Sequence, residues 1–151
     1  DELYKTLIGS HYDFPLEVRN FENNVPQWMM ASDVLVTKAG GLIVSEGLAA
    51  GLPILLIDYL PGQEEGNVRY LLSHQAGAFV QNVGEFRAMM AYWLEADGYR
   101  LNQVARDSAA LGYPEAALTV ARVMWDAVIL QPEPKLLPPK AGGPFQFLTK
   151  N

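Results

Sequence analysis

The most constraining feature of this sequence is a short run with no polar residue in it, Ile54 to Ile57, which follows Gly51-Leu-Pro53 and ends at Asp58. Four consecutive apolar residues between turn signals are too short for a helix and lack the alternation of a half-exposed strand. They fit a strand buried on both faces of a parallel sheet. A parallel sheet needs crossover connections, and the flanking sequence supplies them. Leu16 to Phe21, Val34 to Thr37 and Ala78 to Val80 read as further strands. Helical spacing predicts helices over Asp1 to Ile8, Pro26 to Ala31, Leu42 to Ala50, Glu64 to His74, Gly84 to Glu95, Leu101 to Leu111 and Pro114 to Leu130. Pro26 and Pro114 suit a first helical turn, whereas Gly51 and Gly77 sit where a helix would stop. The fold class is therefore α/β, an open parallel sheet flanked by helices.

The 151 residues are half hydrophobic, enough for one core and no more than one domain. The net charge of −6 argues against nucleic acid as a partner. With no cysteine there is no disulfide, thiolate metal site or cysteine nucleophile. No apolar stretch approaches the roughly 20 residues that cross a bilayer. Five of the ten prolines fall after Gln131, so residues 131–151 read as a proline-rich tail and residues 1–130 as the folded part. The tail carries Lys135, Lys140 and Lys150 against Glu133, which leaves −8 on the folded part. The chain opens at Asp1 on a helical stretch, as if it were a piece of something longer.

Chemistry concentrates at two strand ends. Thr37 to Glu46 reads Thr-Lys-Ala-Gly-Gly-Leu-Ile-Val-Ser-Glu, a strand end, a glycine pair and a helix start. Gly40 and Gly41 would let a phosphate approach bare backbone, with the amides of Leu42 and Ile43 as free donors of the first turn. Glu46, one turn further on, is placed to accept both hydroxyls of a ribose. The same glycines would also make a plain turn, with Glu46 a solvated residue. The second end, Leu60 to Asn67, offers Gln63, Glu64 and Asn67 as polar groups for sugar hydroxyls. Gln63, Glu64 and Glu65 equally suit a helix N-terminus on electrostatic grounds. Lys38 would reach a phosphate or simply be solvated. His11 and His74 have no carboxylate at metal-ligand spacing and read as surface or structural residues. Met89, Met90, Tyr92 and Trp93 read as core, as do Met124 and Trp125.

Four blocks in order, Val25 to Asp33, Lys38 to Glu46, Gly51 to Pro53 and Pro61 to Asn67, resemble the C-terminal half of glycosyltransferase family 28. The likeness is to its monogalactosyldiacylglycerol synthase and processive diacylglycerol glucosyltransferase branch. More distantly the segment is similar to the N-acetylglucosaminyltransferase that completes lipid II. The resemblance extends from about Asp1 to Leu130 and excludes the tail.

That resemblance implies a GT-B fold, of which this chain is the Rossmann-like C-terminal domain, incomplete at its N-terminus. It implies a UDP-sugar as donor substrate, inverting transfer without a metal or other cofactor, and a lipid acceptor such as diacylglycerol held by an N-terminal domain. It places Phe21 and Glu22 in the uracil loop, Gly41, Leu42 and Ile43 at the diphosphate and Glu46 on the ribose. Gln63 and Glu64 then face the sugar, with Asn67 close behind. The family often has Thr or Ser where this chain has Ile43, so that contact must be made by backbone. No catalytic residue is expected here, because the base and the first glycine-rich loop lie outside the chain. The expected location is cytoplasmic, with peripheral contact to the inner face of a membrane. A UDP-sugar 2-epimerase of the same fold would share the Gly-Gly and Glu46 logic, and a non-catalytic association module is the third reading.

Overall fold

A computed structural model describes residues 2–129. The chain forms two compact units, Asp1–Pro114 and Glu115–Asn151. The proline-rich tail, residues 131–151, lies outside the described residues.

The first unit holds α1 (Glu2–Gly9), α2 (Val25–Met30), β1 (Leu35–Lys38), α3 (Gly41–Ala49), β2 (Ile54–Asp58), α4 (Glu65–Ser73), β3 (Gly77–Phe79) and α5 (Val83–Leu111). Its three strands form one parallel sheet in the order β1-β2-β3. The apolar run is the central strand; Ile54, Leu55 and Leu56 are wholly buried, whereas Ile57, at the carboxyl end, is 50% exposed and departs from the expected burial on both faces. Because side chains alternate across a sheet, Ile54 and Leu56 enter one core and Leu55 the other. On the first face they meet Val44 and Leu48 of α3 and Val68 and Leu71 of α4. On the second, Leu55, Ala78 and Val80 meet Trp93, with Phe86, Met89, Met90, Leu101 and Val104 packed around them. The result is the helix–sheet–helix layering of a Rossmann-like domain, the class the sequence implied.

Local chemistry fixes the element ends. Asn82 caps α5 by accepting the Glu85 amide at 3.0 Å, while Glu85 reaches back past the N-cap to accept the Gln81 amide at 2.8 Å, a variant of the capping box. The backbone leaves helical geometry from Glu95 to Gly98, with Ala96, Asp97 and Gly98 at positive φ. The helices expected over Gly84 to Glu95 and Leu101 to Leu111 are thus two arms either side of that break. Gly51, at φ +71°, ends the α3 turn as expected. Gly77 does not end α4; Gln75, at φ +57°, occupies the left-handed position instead. Gly77 is required by proximity, since a Cβ there would lie 2.2 Å from the Ile54 carbonyl oxygen.

The strand expected over Leu16 to Phe21 does not form. A strand needs a hydrogen-bonding neighbour, and among the described residues the sheet contains only β1, β2 and β3. Leu16 and Phe21 are both exposed.

The second unit's described part is α6 (Ala116–Ile129). Met124 and Trp125, read from sequence as core, are exposed on it, and none of its residues is buried. No helix among the described residues is long and apolar enough to cross a membrane.

Candidate functional site

The carboxyl ends of β1 and β2 build the site. Their register is regular from Leu35 opposite Ile54 to Thr37 opposite Leu56, then slips so that Lys38 faces Asp58. The chain turns at once: the Ala39 amide donates to the Asp58 carbonyl at 2.9 Å and the Gly40 amide to that of Lys38 at 2.9 Å. Gly40 is the N-cap of α3, and its carbonyl accepts the Val44 amide at 3.0 Å. The amides of Gly41, Leu42 and Ile43 therefore have no acceptor among the described residues, as the first turn of a helix requires. Three free donors at the positive end of the helix dipole form an anion seat. The α3 hydroxyl, on Ser45, is committed to the Gly41 carbonyl at 2.8 Å, so the donors of this turn are backbone only.

The loop after β2 closes against this turn. Glu64, the N-cap of α4, points inward and is buried, although its neighbours Gln63 and Glu65 are exposed. Its Oε2 accepts the Leu60 amide at 2.8 Å and its Oε1 accepts from Lys38 Nζ at 3.0 Å. The Leu60 amide, followed by the Lys38 ammonium, holds the carboxyl below the ordinary glutamate value. Asn67, two residues into α4, donates from Nδ2 to the Ala39 carbonyl at 2.8 Å. Both side chains lean on the glycine pair. A Cβ on Gly40 would stand 3.7 Å from Glu64 Oε1, and one on Gly41 would stand 3.7 Å from Asn67 Nδ2.

The structure thus brings Gly40, Gly41, Glu64 and Asn67 into one cluster, with Leu42 and Ile43 on the same first turn. Leu42 is exposed and Ile43 half-buried against the core. Glu46 is half-buried one turn along α3, and its carboxylate has no partner among the described residues. Gln63 is exposed, with only its backbone amide engaged, to the Leu60 carbonyl at 3.2 Å.

Phe21 and Glu22 lie apart, in the loop before α2. Phe21 is 86% exposed, leaving its ring free. Glu22 accepts the Asn24 amide at 2.9 Å, which lowers its pKa. It borders a cleft of about 420 Å³ with Arg19, Gln27 and Trp28, where the Arg19 guanidinium lies 5.3 Å from the Trp28 ring centre. His11 is exposed, and His74 Nδ1 lies 2.8 Å from the Tyr70 carbonyl, a surface role for each.

Sequence reasoning left Lys38 unassigned and did not see its bond to Glu64. The signal was present: in a parallel sheet the ends of adjacent strands are neighbours, so a lysine ending β1 and a glutamate just after β2 share one mouth.

An open parallel sheet with a glycine-fronted helix and a polar loop at its carboxyl ends defines a Rossmann-like α/β domain. No family model matches the chain. Individual proteins do. Over 120 residues it is 37% identical to monogalactosyldiacylglycerol synthase 3, chloroplastic, of Arabidopsis thaliana, covering 80% of this chain and 26% of that protein. It is 37% identical over 120 residues to probable monogalactosyldiacylglycerol synthase 3, chloroplastic, of Oryza sativa subsp. japonica, covering 80% and 24%. Monogalactosyldiacylglycerol synthase 2, chloroplastic, of Arabidopsis thaliana is 35% identical over 121 residues, covering 80% and 26%. The chain is homologous to a segment of the monogalactosyldiacylglycerol synthases, as its family 28 motif blocks implied. It spans about a quarter of the length of these relatives.

Proposed function

We propose that this chain is the donor-binding part of an inverting glycosyltransferase that moves a hexose from a UDP-sugar to a lipid acceptor such as diacylglycerol. One observation carries the reading. The amides of Gly41, Leu42 and Ile43, free among the described residues, open a helix on which Glu46, one turn away, also has no partner among them. The names of the relatives support the lipid product.

In this reading the departing UDP gathers negative charge as the sugar–oxygen bond breaks. Amides already aimed at that position stabilise the charge without reorganising. The local donors matter more because the chain as a whole is acidic and its field opposes an anion. Glu46 takes the ribose hydroxyls, Gln63 and Glu64 face the sugar with Asn67 close behind them, and the Phe21–Glu22 loop receives the uracil. The acceptor hydroxyl must lose a proton to a base, which this reading assigns outside these residues. Contact with the acceptor's membrane is peripheral in the same reading.

The test is transfer of radiolabelled hexose from UDP-galactose or UDP-glucose to diacylglycerol by the native protein. A labelled glycolipid with the anomeric configuration inverted is the expected product. Conversion of the UDP-sugar to its 2-epimer without any acceptor, or no turnover of any UDP-hexose, would overturn the proposal.

A further inference from the structure

We propose that Lys38 is a positioning residue for the anion seat, acting as the counter-ion of Glu64 so that the first-turn amides of α3 do not face a bare carboxylate. This rests on the reading of that seat given above.

Glu64 is the charged residue in the buried set of the described chain. Its side chain is 12% exposed, against 54% for that of Lys38. It cannot turn away from the seat. Oε2 is held by the Leu60 amide at 2.8 Å, which leaves Oε1 only 3.7 Å from the Cβ position of Gly40, the N-cap of α3. A carboxylate fixed beside a helix start repels the anion that the helix start attracts. At such range in a partly desolvated site, the repulsion is large enough to change affinity by about tenfold or more. Lys38 Nζ, 3.0 Å from Oε1, cancels that charge where it arises. Its half-exposed side chain reaches the carboxylate from the solvent side, so the pair avoids the cost of burying two ions. Asp58, across the strand slip from Lys38, is exposed and accepts the Tyr59 amide at 2.8 Å, which leaves Glu64 as the lysine's partner.

A lysine at a phosphate site is usually taken for a direct ligand, and the two roles part under substitution. UDP is the probe, because it has no sugar and so does not report any contact of Glu64 with sugar hydroxyls. Glu64→Gln keeps an oxygen for the Leu60 amide while removing the charge. Calorimetry on the native protein at low ionic strength should show Lys38→Met weakening UDP by about tenfold. Lys38→Arg should stay near the parent. The double variant Lys38→Met/Glu64→Gln should recover to within about threefold of the parent, a coupling that a direct phosphate contact does not produce. A double variant as weak as Lys38→Met alone, or a Lys38→Met variant that binds like the parent, would overturn the counter-ion role. Absence of UDP binding by the parent protein would instead overturn the reading of the seat itself. Thermal melts of the unliganded variants separate loss of binding from loss of fold.

Discussion

Asn67 donates from Nδ2 to the carbonyl oxygen of Ala39 at 2.8 Å, joining α4 to the turn that follows β1 across 28 residues of sequence. Ala39 is fully buried, so its carbonyl has no water to turn to. Together with the Lys38–Glu64 pair, this amide side chain joins the two loops of the candidate site.

Replacing Asn67 with Ala should cost about 1–2 kcal/mol of stability, because it strands a buried carbonyl. Urea unfolding of parent and variant measures this. The same variant should bind UDP-hexose more weakly while holding UDP, since the lost group stands close behind the sugar-facing Gln63 and Glu64 in the proposed arrangement. Equal losses for both ligands would place Asn67 at the nucleotide instead.

Acid stability should report Glu64. Its folded pKa is depressed by the Leu60 amide and then by Lys38, so its contribution is present above the unfolded value and fades as pH falls from about 4.5 through the folded pKa. The melting temperature of the parent should therefore drop more steeply than that of Glu64→Gln below pH 4.5, with the two curves running parallel above pH 6. Parallel curves throughout would show that the carboxylate gains nothing from its partners.

Gly77→Ala tests the close packing of the sheet. The added methyl would meet the backbone oxygen of Ile54 at 2.2 Å, and backbone between two paired strands has little room to retreat. A loss of about 1–3 kcal/mol is expected by denaturant unfolding. Gly62→Ala meets nothing within 4 Å but sits at φ +80° in an exposed loop, so its cost should be about 1 kcal/mol and purely conformational.

Ser108 is a second buried tie. Its hydroxyl, wholly buried, donates to the Ala76 carbonyl at 2.8 Å and joins the second arm of α5 to the turn before β3. Ser108→Ala should lower stability by about 1 kcal/mol without altering UDP affinity, because it lies at the amino ends of the strands.

Much of this was legible in the sequence. The run from Ile54 to Ile57 pointed to a parallel sheet because a strand covered on both faces tolerates such a run; Ile54 to Leu56 are covered so, while Ile57 is half exposed. The helices on either side of the Glu95–Gly98 break were legible as separate stretches of helical spacing, Gly84 to Glu95 and Leu101 to Leu111. Leu16 to Phe21 was misread because strand propensity describes one segment while a strand exists only as a pair. Trp125 was misread for the converse reason, since an apolar helical stripe says that a face can be buried and not that anything buries it. In the site, Gly40, Gly41 and Glu46 could be placed from spacing along one helix. The inward turn of Glu64 could not, because its direction is set by Lys38 and by the Leu60 amide, partners that only the folded strand ends bring near.

In the proposed function the first turn of α3, with Glu46 behind it, holds a uridine diphosphate. Calorimetric titration of UDP into the native protein and its Glu46→Ala variant tests it most directly. The two ribose hydroxyl contacts assigned to that carboxylate are charge-assisted, so their loss should weaken UDP by at least about tenfold, with the melting temperature of the unliganded protein unchanged. Equal affinity in the two proteins would contradict the assignment of this site.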